Sequence, residues 1–458
     1  MLHTDTIVAL ATPDGVGAIA VLRLSGSDSI LIVDKIFRSS RSGKELKDQN
    51  SHTVHLGELF DGNTILDQVL VSLFKAPHSY TGEDMVEISC HGSPYIRQRI
   101  LQFCIRNGAR SARAGEFTMR SFLNGKMNLT QAEAVADLIA SESEATHQVA
   151  MRQLRGGVSD RIKKLRGELL DFASLIELEL DFSEEDVTFA DRSQLYRLLD
   201  RLEDDLKLLI NSFTSGNAIK QGIPVAIVGA PNAGKSTLLN VLLNEERAIV
   251  SDMAGTTRDA IEEDIILEGI RFRFIDTAGI RQTTDQIESI GIQRTFEKIR
   301  QARIVLYLFD ATAFDEDRVW SELADIQSEY PEKDFFVIAN KSDLSSVDFR
   351  QASPENFLSI SAKRIEGIEE LRKALTDLIN REALNGQGVT LAQGRYYEAL
   401  QKAFDALLNI HSGLDRGMSG DLVAVDTRRA LYYLGEITGE ITSNDLLENI
   451  FSRFCIGK

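Results

Sequence analysis

Gly229-Ala230-Pro231-Asn232-Ala233-Gly234-Lys235-Ser236 fits the pattern G-x-x-x-x-G-K-S, between an apolar IPVAIVG and a helix-like STLLNVLLN. Strand, glycine loop and helix in that order form a phosphate grip: the glycines let backbone N–H groups turn inward on an anion, and the helix N-terminus adds its dipole. Lys235 adds a point charge to the β- and γ-phosphates, Ser236 offers a hydroxyl to Mg²⁺, and Thr237 follows inside the helix. Downstream, Asp276 closes RFRFID and opens Asp276-Thr277-Ala278-Gly279, where a P-loop enzyme holds its metal and senses the γ-phosphate. Asn340-Lys341-Ser342-Asp343 follows another apolar run, DFFVIAN. The Asp343 carboxylate can accept the ring N–H and the exocyclic amine of guanine, whereas adenine presents a lone pair to it, so GTP is expected over ATP. Asn340 is expected to tie this loop to the phosphate loop, with Lys341 along the base and Ser361-Ala362-Lys363 touching it through backbone.

The hydrolytic step is less complete in these motifs. Where Ras-like switches carry a water-orienting glutamine after the DTAG glycine, this chain has Ile280, which cannot hold a water. Asp285 and Glu288, just downstream, are the open candidates for that work, and each is also explained as a solvated acid. Upstream, Ser251-Asp252-Met253-Ala254-Gly255-Thr256-Thr257-Arg258-Asp259 reads as a switch segment: a threonine there can reach Mg²⁺ and the γ-phosphate, and Gly255 permits a tight turn. Arg258 fits an arginine finger and a surface ion pair equally well.

These residues need a scaffold, and the pattern of the chain supplies one. From 219 to 381 short apolar strands alternate with helical segments, the sign of a mostly parallel sheet covered by helices. DIILEG and RFRFID lie too close for a crossover helix and are expected to form an antiparallel edge hairpin. Residues 1–125 alternate in a strand-like way through TIVALAT, AIAVLRLSG, TVHLGELF, LDQVLVSLF and DMVEISC, with a turn signal at Asp61-Gly62-Asn63, which predicts a compact α+β unit. Segments 126–218 and 382–458 carry apolar residues at helical spacing, and after Ser215-Gly216-Asn217 the period changes to that of short strands. The fold class is therefore multidomain, α+β and α/β, with a discontinuous helical bundle that holds a P-loop domain as an insert.

Composition narrows the function classes. A chain of 458 residues with 43% apolar and 26% charged residues is a multidomain globular protein. No apolar run is long enough for a membrane helix and the N-terminus lacks a basic leader, so a cytoplasmic location is expected. Cys90, Cys104 and Cys455 form no C-x-x-C pair, which argues against a zinc site or a disulfide framework, and Cys455 reads as a buried thiol. The net charge of −18 argues against coating by nucleic acid through bulk electrostatics. Arg152, Arg155, Arg161, Lys163, Lys164 and Arg166 concentrate positive charge locally, a pattern most simply met by a solvated helix face.

GAPNAGKS, AGTTRD, DTAGIR with IESIGIQR, NKSD, an N-terminal DTIVALATP with TGEDMVEISCHG and GEFTMRSFLNGKMNL, and a terminal FCIGK together resemble the MnmE (TrmE) family of tRNA uridine carboxymethylaminomethyl modification GTPases. The resemblance runs end to end, and the terminal signatures rather than the nucleotide motifs single the family out. It implies an N-terminal folate-binding domain that dimerises, a helical domain in two segments and an inserted Ras-like G domain. It also implies potassium in place of an arginine finger as two G domains meet, held by Asn232 and Thr256 side chains and the Ser251 and Met253 carbonyls, with Mg²⁺ on Ser236 and Thr257. The water-orienting glutamate falls on Glu288, and folate-site positions fall on Arg23, Glu87, Lys126 and Lys458. Read without the resemblance, Arg23 and Lys126 are surface charges and Glu87 a strand acid; with it, Cys455 becomes a candidate functional thiol. The implied reaction modifies C5 of the wobble uridine of certain tRNAs. The implied partners are a second copy of the chain and the flavoprotein MnmG, which alone carries FAD, in a heterotetramer. The implied one-carbon source is a methylene- or formyl-tetrahydrofolate.

Overall fold

The structure, a computed structural model, describes residues 5–40, 44–62, 64–181, 192–244, 263–275, 296–345, 356–385, 393–416, 418, 420–452 and 454–457. By contacts, the described residues of 1–140, 151–195 and 409–458 form one compact unit, and those of 141–150 with 196–408 form another.

In the first unit the strands are β1 (Ile7–Leu10), β2 (Ile19–Ser25), β3 (Phe37–Ser39), β4 (Thr53–Asp61), β5 (Thr64–Phe74), β6 (Met85–His91) and β7 (Arg110–Ser111), with α1 (Ser29–Asp34), α2 (Pro94–Arg106) and α3 (Glu116–Leu123) between them. They build one sheet in the order β3-β4-β5-β6-β2-β1-β7, antiparallel throughout except at β1–β7. Side chains that alternate along a strand point to opposite faces. Ala20, Leu22 and Leu24 of β2 and Val86, Ile88 and Cys90 of β6 enter one core, with Ile100, Phe103 and Cys104 of α2. Ile7 and Ala9 of β1 face the other way, onto Phe117 of α3 and Tyr80. Arg23 and Glu87 are out of phase with the core residues of their strands, so the register puts them on that second face. There they are direct cross-strand partners.

α4 (Leu129–Ile139) opens with a capping box: Asn128 accepts from the Gln131 N–H, and the Gln131 side chain accepts from the Asn128 N–H. α5 (Glu144–Leu154), α6 (Gly157–Asp181) and α7 (Arg192–Gln221) follow. On α6, Val158, Ile162, Leu165, Leu169, Phe172 and Ile176 are all buried. They recur every three or four residues, the stripe a helix needs to bury one face. α7 runs past Ser215-Gly216-Asn217 and stops before Gly222, where φ is +82°. The change from helical to strand period thus comes four residues after Asn217, at the end of α7. Ser, Gly and Asn are poor helix formers, but each costs under about 1 kcal/mol in a helix, whereas a left-handed Gly ends it.

The second sheet uses β8 (Ile223–Val228), β9 (Glu263–Leu267), β10 (Ile270–Phe274), β11 (Ile304–Asp310), β12 (Asp334–Asn340) and β13 (Phe357–Ser359), with helices α8 (Lys235–Asn244), α9 (Glu316–Glu329) and α10 (Ile368–Asn385). Its order is β13-β12-β11-β8-β10-β9; every pairing is parallel except β9–β10, the edge hairpin. Both faces are buried, as a parallel sheet requires. Ile227, Leu306, Leu308 and Ile338 pack with Leu238 and Leu242 of α8 and Leu371 and Leu375 of α10. Ala226, Val228, Val305, Phe309 and Val337 pack with Val319 and Leu323 of α9. Three further helices close the chain: α11 (Gly394–Asp415), α12 (Gly420–Thr438) and α13 (Asn444–Phe451). The tail beyond α13 lies against the first sheet, where Ile456 bridges Ala114 and a Cβ on Gly457 would stand 2.2 Å from the Leu10 carbonyl oxygen.

Candidate functional site

The glycine loop leaves the C-terminal end of β8, a central strand, and α8 begins at Lys235. In an open parallel sheet this end is where ligands bind. Two glycines are there for steric reasons. A Cβ on Gly229, whose φ is +138°, would lie 1.9 Å from the Leu308 carbonyl oxygen. A Cβ on Gly234 would lie 2.1 Å from Asn340 Nδ2. Asn232 itself adopts φ +63°, left-handed backbone that Asn tolerates better than most residues. Lys235 Nζ donates to the carbonyls of Gly229 and Ala230, both at 2.8 Å. Burial, aided by Lys298, lowers its pKa. Ser236 and Thr237 occupy the first turn of α8, and hydroxyl and amide oxygens such as those of Ser236 and Asn232 suit hard cations.

Asn340, the last residue of β12, is 2% exposed. Its Nδ2 donates to the Ala233 carbonyl at 2.7 Å and its Oδ1 accepts from the Ala362 N–H at 3.0 Å. One side chain thus joins the phosphate loop, the β12 end and the loop after β13. Lys341 has φ +63°, and its ammonium meets Asp310 Oδ2 at 2.6 Å. Burial works to raise the pKa of Asp310, but hydrogen bonds from Lys341 and Thr312 outweigh it and leave it lowered. Asp343 is held on both oxygens: Ser361 Oγ donates to Oδ1 at 2.7 Å, and Arg364 Nε lies 3.2 Å from Oδ2. Its side chain is 6% exposed. Ala362 is buried and Lys363 exposed. Ser251, Asp252, Met253, Ala254, Gly255, Thr256, Thr257, Asp276, Thr277, Ala278, Gly279 and Glu288, with Arg258, Ile280 and Asp285, lie outside the described residues.

A second site sits on the outer face of the first sheet. Arg23, Glu87 and Lys126 line one cleft of about 540 Å³ together with His52, Phe74, His78, Ser79, Tyr80 and Met85. Arg23 donates from Nε and Nη2 to Glu87 Oε1 at 2.9 and 2.7 Å, and its guanidinium lies 5.5 Å from the Tyr80 ring and 5.8 Å from the Phe117 ring. Arg23 is only 15% exposed, so the surface-charge reading of it does not hold. Lys126 Nζ donates to the Pro77 carbonyl. The loop that carries Tyr80 is fixed by charge: buried Arg120 contacts Glu83, Asp5 and Glu116, and Ser25 Oγ donates to Glu83 at 2.7 Å. Tyr80, His52 and His78 were not reached from sequence. Only the strand alternation that places Arg23 on the outer face, and Tyr80 in the run before TGED, pointed toward them.

Cys455 is exposed rather than buried, because the tail lies along the surface at Ala114 and Gly115. Cys90 and Cys104 are buried, and burial pushes their thiols up to about 11 and about 12. No group of three or more His, Cys, Asp or Glu among the described residues is arranged for a metal. Lys458 lies outside them.

The chain matches the MnmE helical domain over residues 129–455 and the N-terminus of the GTP-binding protein TrmE over residues 6–126. It is 56% identical to the tRNA modification GTPase MnmE of Flavobacterium psychrophilum, 55% identical to that of Flavobacterium johnsoniae and 50% identical to that of Bacteroides thetaiotaomicron, each alignment covering 100% of both chains. A phosphate loop braced by Asn340, a carboxylate poised at Asp343 and relatives that match over their whole length have one common explanation: the chain belongs to the MnmE family of tRNA modification GTPases, and is a GTP hydrolase.

Proposed function

We propose that GTP hydrolysis by this protein drives the placement of a carboxymethylaminomethyl or aminomethyl group on C5 of the wobble uridine of certain tRNAs. The flavoprotein MnmG acts as partner, and a tetrahydrofolate derivative supplies the one-carbon unit. The observation that carries the folate part is the meeting of Arg23, Glu87 and Lys126 in a single aromatic-walled cleft. A pterin presents an amide-like edge that a carboxylate such as Glu87 can bind through two hydrogen bonds, and its flat ring suits Tyr80 and Phe74. The cationic Lys126 suits the glutamyl carboxylates.

At the nucleotide, Lys235 neutralises phosphate charge, Asn340 fixes the loop and Asp343 reads guanine. Ser236 and Thr257 would hold Mg²⁺. Asn232, Thr256 and the carbonyls of Ser251 and Met253 would hold K⁺, which supplies positive charge against the negative charge that develops as the γ-phosphate leaves. Glu288 orients the attacking water. A cation site completed only as two G domains meet makes hydrolysis depend on a second copy of the chain.

Support for a homodimer comes from the first sheet. Val54, Leu56, Ile65 and Leu70 of β4 and β5 are 62%, 49%, 54% and 45% exposed, and Leu56 and Leu70 are direct cross-strand partners. An apolar sheet face of that kind is what an interface between copies covers. No helix among the described residues is long and apolar enough to cross a membrane, and we place the work in the cytoplasm.

The test is mass spectrometry of tRNA nucleosides from cells that lack the protein, complemented with the parent chain or with Glu87→Ala. The modified wobble uridines should vanish in the deletion, return with the parent and stay absent with the variant. Unchanged wobble uridines in the deletion would refute the tRNA reading. Full rescue by Glu87→Ala would refute the role of the cleft.

A further inference from the structure

Beyond the nucleotide motifs, Arg364 touches the guanine-reading carboxylate, and no part of the assignment above uses it. It follows Ser361-Ala362-Lys363 on a tightly wound loop. The Ser361 N–H donates to the Glu366 carbonyl at 2.9 Å, the Glu366 N–H returns to the Ser361 carbonyl at 3.1 Å, and Ile365 and Gly367 have φ of +62° and +75°. The Arg364 N–H also donates to the Ser361 carbonyl, at 3.1 Å, and to Ser361 Oγ, at 3.3 Å. The backbone at Arg364 is therefore fixed, and its side chain lies over Asp343 with Nε 3.2 Å from Oδ2.

We propose that Arg364 is a gate on guanine entry: it occupies the Asp343 oxygen that the base must use, and leaves it when the nucleotide binds. The argument is one of acceptor sites. A guanine edge offers two N–H donors side by side and needs both carboxylate oxygens in one plane. Ser361 Oγ already holds Oδ1 at 2.7 Å, which orients the carboxylate and leaves that oxygen a second lone pair. Arg364 holds Oδ2 from the exposed side: its own side chain is 58% exposed while that of Asp343 is 6% exposed. With so little open surface, the direction Arg364 takes is a direction the base needs. The exposed guanidinium can swing into water while Asp343 keeps its hydrogen bond from Ser361 Oγ. Replacing it by guanine keeps the Asp343 charge paired in both states.

The inference rests on Asp343 as the guanine reader, and the experiment separates the two. Binding of fluorescent GDP and of ATP to the full-length protein is followed by stopped flow and at equilibrium, for the parent, Arg364→Ala, Arg364→Lys and Asp343→Asn. Removal of the gate should speed GDP association and tighten GDP binding about two- to five-fold. Arg364→Lys should fall between parent and Ala, and added salt should speed the parent more than Arg364→Ala. Unchanged or weaker GDP binding in Arg364→Ala, with Asp343→Asn losing guanine preference, overturns the gate alone. Retained guanine preference in Asp343→Asn overturns the underlying reading, whatever Arg364 does. Arg364 is exposed and outside the core, and circular dichroism of each variant confirms that the fold is kept.

Discussion

Asn340→Ala is the most informative single change in the G domain, because one side chain holds three loops. Truncation leaves the Ala233 carbonyl and the Ala362 N–H without the partners they have at 2.7 and 3.0 Å. The site is 2% exposed, so water does not readily replace them. An orphaned buried polar group costs about 1–3 kcal/mol, which for two groups, partly relieved by relaxation, gives a loss of about 2–4 kcal/mol. The chain carries a single tryptophan, Trp320, which packs against the core between the sheet and α9. Urea unfolding followed by its fluorescence therefore reports this unit. The midpoint should fall by the amount that corresponds to that loss at unchanged slope. GDP affinity should fall by at least about tenfold, since the phosphate loop and the base loop lose their common brace. Asn340→Asp is the sharper companion: it keeps the acceptor for Ala362 but sets a carboxylate against the Ala233 carbonyl, and should be no better than Ala. Stability within about 0.5 kcal/mol of the parent, together with parental GDP affinity, would refute the brace.

Four other outcomes follow from the same reasoning. The Asp5 carboxyl is lowered from 3.8 to about 2, chiefly by its hydrogen bond from Arg110, with Arg120 adding to it. A depressed folded-state value contributes stability above the ordinary carboxylate range and loses it as pH falls through about 2, so acid unfolding of the first unit should be postponed in the parent relative to Asp5→Asn; coincident acid transitions by near-ultraviolet circular dichroism would count against it. Leu56→Glu with Leu70→Glu places like charges directly opposite each other on the exposed face, and light scattering should show a dimer for the parent and a monomer for the variant; an equal mass for both would remove this face from the proposed interface. GTP turnover should rise on replacing Na⁺ by K⁺, and Glu288→Ala should slow it by about 10²-fold or more while sparing GTP affinity, since the work proposed for Glu288 falls in the transition state; equal rates in both salts, or normal turnover in the variant, would refute these proposed roles.

Much of the scaffold was legible because burial writes a period into the chain. In β8, β11 and β12 nearly every residue is buried on one face or the other, so the strands stand out as continuous apolar runs. The edge hairpin β9–β10 followed from the shortness of its connection. What escaped notice had weak local signals. α7 continues through Ser215-Gly216-Asn217 because three weak helix formers cost little each, and the left-handed Gly222 is what ends it. β3 and β7, three and two residues long, are too short to show an alternation and exist because a neighbouring strand offers an edge. Cys455 reads as buried by type, but its exposure is set by where the tail docks, a long-range fact.

The site residues divide along the same line. Gly229, Gly234, Lys235 and Asp343 could be named from sequence because a contiguous motif fixes their surroundings. The meaning of Gly234 could not, because the atom that excludes a side chain there belongs to Asn340, 106 residues later, and stands 2.1 Å from where a Cβ would be. Seen in the sheet, the two motifs are one feature: the glycine is required because the asparagine is present, and the asparagine is useful because the glycine admits it. The Arg23–Glu87 pair argues the same way. Neither residue is unusual in its strand, and 64 positions separate them, yet antiparallel register makes them opposite partners on the face that Phe117 and Tyr80 cover. Chemistry carried by a loop can be read in order along the chain. Chemistry assembled across a sheet needs the register, which a single sequence states only through the phase of its buried residues.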